Sequence, residues 1–231
     1  MATVVIGSLL GLFLQQFFPP NIEAIIFQAI GLGTLVIGIN MSLKVPDGYF
    51  LIFIFSLIIG GIVGELIGVQ AYLQQMGEGI KSLFNIEESQ FTEGLVTAFL
   101  LFCIGSMTIV GAIDEGIRGN RELLSIKSTL DGITSIAFAA TYGIGVLFSI
   151  FPMLLFQGGM TILASRLQHY FTATIIAQIS GLGGVLIIAI AINMLELGSI
   201  NIENLLPGLV IVIILTSIYD SWKKTNIKSK I

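Results

Sequence analysis

The chain has 231 residues, of which 55% are hydrophobic and only 10% are charged, with a formal net charge of −4. Soluble domains carry about a quarter charged residues, so this composition, with a mean hydropathy of +1.00, excludes a water-exposed globular surface and indicates an integral membrane protein. The single cysteine, Cys103, excludes an intrachain disulfide, and the single histidine, His169, excludes a histidine-rich metal site. We expect no cleaved signal peptide, because Met1 leads directly into the first hydrophobic segment without a basic region.

Eight hydrophobic segments follow one another along the chain, and we predict that each forms a membrane-spanning helix. Such a helix needs about 20 apolar residues, and no run shows the period-two alternation of a membrane β-strand. The segments are 2–18, 22–43, 49–69, 93–114, 128–147, 150–166, 173–195 and 204–221. No charge marks the turn near Ser149–Pro152, so one bent or re-entrant unit, giving seven spans, is the alternative. The expected fold class is all-α, a polytopic transmembrane helical bundle of about eight spans in one domain, 1–231.

The basic residues predict the orientation of this bundle. Lys and Arg concentrate on the cytoplasmic side of membrane proteins, so the lysines of the tail, 223–231, place the C-terminus in the cytoplasm. With eight spans, nine of the ten basic residues lie on that side and only Lys81 lies outside. We expect a multi-pass protein of the bacterial or archaeal inner membrane with both termini cytoplasmic. Ala71–Phe84 is expected to form a short helix on the outer surface or an ordered loop.

A sequence repeat links the two ends of the chain. The stretch IIFQAIGLG at 25–33 reappears as IIAQISGLG at 175–183, and Asn40-Met41 reappears as Asn193-Met194. In the predicted topology the two copies cross the membrane in opposite directions. Inverted repeats are typical of secondary transporters, whose sites lie at the repeat interface near mid-membrane. The predicted division is a first repeat at 1–69, a central part at 93–147 and a second repeat at 150–222.

The central segments carry the residues that point to a function. In Glu93–Glu115 and in Lys127–Gly145, small and polar residues fall on one side of a helix. A charge inside a bilayer costs at least about 2.5–3.5 kcal/mol, so Asp131 is expected to face a cavity or a partner. There we predict that it binds a monovalent cation or takes up a proton, because an all-oxygen shell suits Na⁺. The alternative is an interfacial carboxylate that pairs with Lys127 or caps its helix. The neutral oxygens expected to assist are those of Ser128, Thr134, Ser135 and Thr108.

Further polar candidates lie towards the ends of the segments. Glu65 and Glu93 are at the outer ends of segments three and four and predict an acidic mouth that concentrates cations, although glutamates that simply reach water are the alternative. Gln157 must find hydrogen bonds in lipid, either between helices or with a ligand. Asn40, near the end of segment two, is a candidate ion ligand or a partner for unwound backbone.

The glycines predict close helix packing and helix breaks. Gly7/Gly11 and Gly60/Gly64/Gly68 match the small-xxx-small pattern, which indicates close contacts within the chain or at a homodimer interface. Gly105-Ser106 and Gly143-x-Gly145 predict broken helices at a binding site.

Several short stretches resemble one family of prokaryotic membrane proteins. They include GGIVGE at 60–65, EGLVTA at 93–98, LFCIGSM at 101–107 and LDGI at 130–133. These motifs are similar to those of domain-of-unknown-function family 554, the YqgA-like proteins, along nearly the whole chain. The resemblance implies a polytopic inner-membrane protein, sometimes described as a sodium channel or pump. It supplies no substrate and no catalytic residues.

The leading hypothesis is a transporter or channel for a monovalent cation, Na⁺ or H⁺, or for a small solute coupled to one. The alternative is a non-transporting scaffold or regulator whose polar residues only hold helices together. An enzyme is not expected, because the sequence offers no HExxH motif, no Ser/His pairing and no paired aspartates in a known arrangement. The expected partners are the lipid bilayer and the cation or solute; no cofactor and no nucleic acid are expected.

Overall fold

The computed structural model describes residues 1–17, 19–84, 86, 90–103 and 106–228, and these parts of the chain contain helices and no strand. The all-α prediction is therefore confirmed. The helices are α1 (Ala2–Gln15), α2 (Pro20–Ser42), α3 (Phe50–Ile67), α4 (Val69–Phe84), α5 (Phe91–Cys103), α6 (Ser106–Arg118), α7 (Glu122–Tyr142), α8 (Gly145–Phe148), α9 (Ile150–Met153), α10 (Gly159–Ile162), α11 (Ala164–Leu167), α12 (Ala173–Met194), α13 (Ile202–Leu205) and α14 (Gly208–Lys228). A π-helical segment, Leu154–Gly158, joins α9 to α10.

Each predicted hydrophobic segment corresponds to one helix or to one run of helices, but the helices differ in their ability to cross a membrane. Within the described ranges, five stretches are long and apolar enough, and the bent pair α5–α6 makes a sixth. The remaining two are α1, which has only 14 residues, and α7, whose first half carries Glu122, Lys127 and Asp131. The count of eight spans stays a prediction for α1 and α7.

Helix α12 lies at the centre of the bundle. Its span is 72% buried, whereas the other single spans are between 18% and 28% buried and turn most of their apolar surface outwards. Small residues make this possible on one side, because α2 packs against α12 at two glycines. A Cβ on Gly184 would lie 2.7 Å from the carbonyl oxygen of Gly38, so the two backbones touch. Thr172 caps the start of α12 by accepting a hydrogen bond from the backbone N–H of Ile175, 3.2 Å away.

The contacts between α2 and α12 come in matching pairs. Gly31 faces the side chain of Leu195, and Gly181 faces the side chain of Val45. The same sequence separation relates Gly31 to Gly181 and Val45 to Leu195. The two helices are antiparallel, since Gly31 faces Leu195 whereas Gly38, further along α2, contacts Gly184, earlier in the chain. These reciprocal contacts agree with an inverted repeat, which stays a prediction.

Glycines also bring the flanking helices together within the chain. On α1, a Cβ at Gly7 would lie 2.1 Å from the carbonyl oxygen of Gly132, and one at Gly11 would lie 2.2 Å from that of Ile136. On α3, a Cβ at Gly60 would lie 2.3 Å from the Cα of Gly208. The predicted close contacts are therefore made between α1 and α7 and between α3 and α14. Gly68 instead ends α3 in the left-handed conformation, with φ of 74°.

The turn predicted near Ser149–Pro152 was placed too late. The chain turns at Gly143, whose φ of 69° is a conformation that L side chains rarely adopt, and α8 begins at Gly145. Pro152 lies inside the short helix α9, where a first-turn position does not require its missing N–H. The positive φ of Gly143, and not Pro152, therefore separates the fifth segment from the sixth.

Polar contacts tie α3 to α12 and α14 where α3 begins. The Tyr49 hydroxyl donates a hydrogen bond to the Asp220 carboxylate of α14. The fully buried Gln178 donates from Nε2 to the Tyr49 carbonyl oxygen at 3.1 Å. This hydrogen bond joins α12 to the residue that precedes α3.

We expect Gly64→Ala to destabilise the bundle. Its Cβ would lie 1.9 Å from the carbonyl oxygen of Asn204, and overpacking of this kind costs about 1–3 kcal/mol. Thermal unfolding in detergent, followed by circular dichroism, should show a lower midpoint. The matched control is Gly33→Ala, because no atom lies within 4 Å of a Cβ there. An equal loss in both variants would show that the close approach of α3 to Asn204 is not the cause.

Candidate functional site

Breaks in three helical segments make room for polar groups inside the bundle. Helices α5 and α6 meet at an angle of 61°, and Thr108, just after the bend, donates from Oγ1 to the Phe102 carbonyl oxygen at 3.0 Å. The second break is at Gly143, and the third is the π-helical segment, a feature frequent at functional sites. The glycine motifs predict two of these three breaks, the one between α5 and α6 and the one at Gly143, but not the π-helical segment; Gly105 itself lies outside the described residues.

An open cavity of about 610 Å³, here called the aspartate cavity, lies beside the first half of α7. Residues of α1, α6, α7, α10 and the π-helical segment line it. Three of the predicted site residues line it together: Asp131, Ser128 and Gln157. Thr3 of α1 also lines it and lies 2.8 Å, Oγ1 to Oγ, from Ser128.

Asp131 is paired with Lys127, one turn earlier on α7. The Lys127 ammonium donates to Oδ2 of Asp131, and the two side chains are only 10% and 13% exposed. The ammonium also lies 5.9 Å from the centre of the Phe102 ring, within the range of a cation–π contact. The carboxylate therefore faces a cavity, as predicted, and also has the lysine partner of the alternative. The lysine occupies the position that a free cation would take.

A second ion pair lines the same cavity. Nε of Arg121 lies 2.9 Å from Oε1 of Glu115, and the arginine side chain is 78% exposed while the glutamate is 24% exposed. Counted with Lys127 and Asp131, two positive and two negative side chains line the aspartate cavity.

A separate cavity of about 460 Å³, here called the glutamate cavity, lies at the start of α5. Amide and hydroxyl groups from α4, α5, α12 and the chain before α13 line it. Its acidic residues are Glu78, Glu93 and Glu203. Glu93 therefore belongs to an acidic surface, as predicted. Glu65 does not line this cavity: its Oε2 accepts from Nδ2 of Asn204 at 2.6 Å, in the residue next to Glu203.

The two cavities lie at opposite ends of α5 and α7. These helices are antiparallel, because Gly94 faces Tyr142 whereas Phe102, eight positions further along α5, contacts Phe138 with ring centres 6.5 Å apart. The glutamate cavity extends along α5 to Thr97. Between it and Phe102, which faces Lys127, the buried side chains of Ala98 and Leu100 form an apolar layer.

Besides Glu65, four more predicted site residues line neither cavity. Thr134 donates to the Leu130 carbonyl oxygen of its own helix at 2.9 Å, and Ser135 is buried against α1, 2.8 Å from the Gly132 carbonyl oxygen. The Thr108 hydroxyl is engaged in the hydrogen bond to the Phe102 carbonyl oxygen at the α5–α6 bend. Asn40 is exposed on α2 and lines neither of the two cavities. The α5–α6 bend divides the small and polar face predicted for Glu93–Glu115. Its hydroxyl groups therefore do not lie in one site with those of α7.

Sequence reasoning missed the second ion pair and most of the glutamate cavity. Gln70, Gln74 and Glu78 recur every four residues, which places them on one face of α4, and this signal was available. Glu203 lies in a short loop helix and carries no periodic signal. Among the described residues, no group of three or more His, Cys, Asp or Glu side chains is arranged to hold a metal ion.

The long apolar helices define the class of the protein: a multi-pass helical membrane protein. Residues 1–217 match the family described as "Protein of unknown function (DUF554)", and the chain belongs to this family. It is 31% identical over 210 residues to "Uncharacterized membrane protein YdfK" of Bacillus subtilis (strain 168), covering 90% of this chain and 89% of the relative. It is 26% identical over 226 residues to "Uncharacterized protein YqgA" of Escherichia coli (strain K12), covering 96% and 95%. No solved structure matches the chain.

We expect Asp131→Asn to destabilise the protein by about 3–5 kcal/mol, because breaking a buried pair leaves an uncompensated charge on Lys127. The double variant Lys127→Met/Asp131→Asn should recover most of this loss in thermal unfolding. The control is Asp47→Asn, which replaces an exposed carboxylate in the loop before α3, where a change within about 0.5 kcal/mol is expected. A double variant no more stable than Asp131→Asn would contradict the pairing argument.

Proposed function

We propose that the protein is a transporter or channel for a monovalent cation, Na⁺ or H⁺, or for a small solute coupled to one. The observation that carries this proposal is the pair of polar cavities at opposite ends of α5 and α7, separated by an apolar layer. A solute that passes between two such cavities crosses only the short layer around Ala98 and Leu100. A helix bundle that serves only as a scaffold has no need of either cavity.

In this proposal Asp131 is the central ligand of the aspartate cavity, assisted by Ser128 and Gln157. A charged side chain within a membrane bundle is expensive and marks pathways for ions or protons. Lys127 neutralises the carboxylate while the site is empty, and a cation that binds must take its place. The carboxylates of the glutamate cavity attract cations to the other end.

The architecture agrees with this function. Transporters with inverted repeats build their sites from broken helices at the interface of the repeats. Here the π-helical segment lines the aspartate cavity, the Phe102 ring beside the α5–α6 bend lies 5.9 Å from the Lys127 ammonium, and the reciprocal contacts of α2 and α12 support the repeat. We further propose that the protein lies in the inner membrane with both termini in the cytoplasm.

Flux of ²²Na⁺ and of H⁺ into proteoliposomes tests the function. We expect Asp131→Asn to lower the flux by about tenfold to a hundredfold, because a hydrogen bond to a charged group is worth about 1.5–3 kcal/mol. The matched control is Asp47→Asn, which removes an exposed carboxylate from the loop before α3 and should leave the flux unchanged. Unchanged flux in Asp131→Asn would reject the site, and a protein that moves neither ion nor any coupled solute would favour the scaffold alternative.

Labelling of single cysteines tests the orientation. In a Cys103→Ser background, Asp47→Cys and Gly119→Cys should be protected from a membrane-impermeant maleimide in intact cells, whereas Glu78→Cys and Gly198→Cys should react. All four positions are exposed, so access to the reagent depends on the side of the membrane. Labelling of Asp47→Cys and Glu78→Cys from the same side would contradict the proposed topology.

A further inference from the structure

A line of residues along the outward side of α2 carries one amide among apolar side chains. The span of α2 is only 18% buried, because one side of the helix packs on α12 and the rest points outwards. Four outward positions follow one another in steps of three, four and seven residues, which is the spacing of a single helix face. We call this line the α2 face: Ile25, Gln28, Leu32 and Ile39. Its three apolar residues are 64%, 55% and 45% exposed.

Gln28 has no hydrogen-bond partner among the residues that the structure describes. It is the fifth residue of the span Ala24–Ser42, where lipid offers neither donors nor acceptors. A hydroxyl in a helix bonds to a carbonyl of its own helix, as Ser42 does to Ile39 at 2.8 Å. A primary amide carries two donors and an acceptor and needs a partner outside its helix. Asn40, the other exposed amide of α2, lies about a third of a turn from the α2 face and close to the end of the helix.

The counterpart of Gln28 in the second stretch of the repeat shows what covers such an amide. Gln178 is fully buried on α12 and donates to the Tyr49 carbonyl oxygen at 3.1 Å. Tyr49 directly precedes α3, and α3 and α14 pack together beside α12. Helix α2 packs on α12 and α7, and the described helices leave the α2 face exposed. The place that α3 fills beside Gln178 is therefore open beside Gln28.

A second copy of this chain fits the open place. Copies inserted in the same orientation are related by a twofold axis along the membrane normal, and the same surface of each copy then forms the interface. Their α2 helices run parallel, so each residue of the α2 face lies at the depth of its own equivalent. Because an amide both donates and accepts, Gln28 is complementary to itself, which a carboxylate or an ammonium is not. One amide in an otherwise apolar helix seam also fixes the register and the number of helices.

We infer that the protein forms a parallel homodimer through the α2 face, in which Gln28 of each copy is hydrogen-bonded to Gln28 of the other. The apolar residues of the face pack around the two amides. This interface differs from the one that the small-xxx-small patterns predicted, because the glycines of α1 and α3 make their close contacts within one chain. The inference goes beyond the proposed function and does not depend on it, so a protein without ion flux still forms this dimer.

Oxidative cross-linking of single cysteines in native membranes tests the inference. In a Cys103→Ser background, Leu32→Cys should give a disulfide-linked product with the mass of two chains after treatment with copper–phenanthroline. The matched control is Ile58→Cys on α3, which should remain a single chain. The two positions are similarly exposed, at 55% and 50%, and each is the ninth residue of its span. Equal cross-linking of both variants, no product from Leu32→Cys, or a product with a different protein would each overturn the homodimer.

Gln28→Leu, added to the Leu32→Cys chain, tests the hydrogen bond between the two amides. Dimerisation should weaken by about threefold or more, because polar side chains that bond across membrane helices contribute about that much to association. The fold should persist, since the side chain points outwards, and circular dichroism checks this. The matched control is Asn40→Leu, which makes the same change at an exposed amide outside the α2 face and should leave the yield of cross-linked product unchanged. An unchanged yield in Gln28→Leu, or an equal loss in Asn40→Leu, would overturn the role assigned to Gln28.

Discussion

The ion pair of Lys127 and Asp131 imposes the strongest constraint on this structure. Two opposite charges removed from water cost several kcal/mol each unless their geometry and their further hydrogen bonds compensate. Both residues lie on α7, where the Lys127 ammonium is beside the Phe102 ring. One side of the pair stays open to the aspartate cavity. The close approach of α1, which glycines make possible, completes the wall around the pair. Apolar packing of the same volume is often as stabilising as a buried ion pair.

Helix breaks provide the space that the pair requires. A straight apolar helix satisfies all of its backbone groups internally and offers no polar atoms to a solute. The bend between α5 and α6 releases a carbonyl, which Thr108 engages, and the π-helical segment widens the wall that faces Asp131. These features lie in the central part of the chain, whereas α2, α3, α12 and α14 are continuous over most of their length. These continuous helices form the frame, and α12 among them also lines the glutamate cavity, whereas the π-helical segment and α7 line the aspartate cavity.

The sequence predicted the frame better than the site. Hydrophobic length and Gly/Pro punctuation identify the helical segments, because a spanning helix must be long and apolar to exist at all. The sequence indicated a helix break at Gly143, but the turn between segments five and six was predicted near Pro152 instead. Asp131 and Lys127 were identifiable as a pair by their spacing of one helical turn. The prediction for Thr134 failed because the periodicity of a helix does not reveal which neighbouring element covers a given face. The prediction for Thr108 failed because the α5–α6 bend gives α6 a different direction from α5. Glu203 reaches the glutamate cavity through tertiary packing alone.

The two similar stretches at 25–33 and 175–183 have come to occupy different environments. Gln178 is completely buried and bonds to Tyr49, whereas its counterpart Gln28 is exposed on α2. A polar group that faces lipid without a partner is unfavourable, so glutamine is favourable at this position in α12 and unfavourable in α2 of a single copy. The glycines behave differently, because Gly31 and Gly181 both face the other helix. Each of these two glycines leaves room for a side chain just beyond the end of the other helix, Leu195 for Gly31 and Val45 for Gly181. The polar residues of the aspartate cavity lie elsewhere, on α1, α6, α7 and the π-helical segment, so this glycine packing does not depend on them.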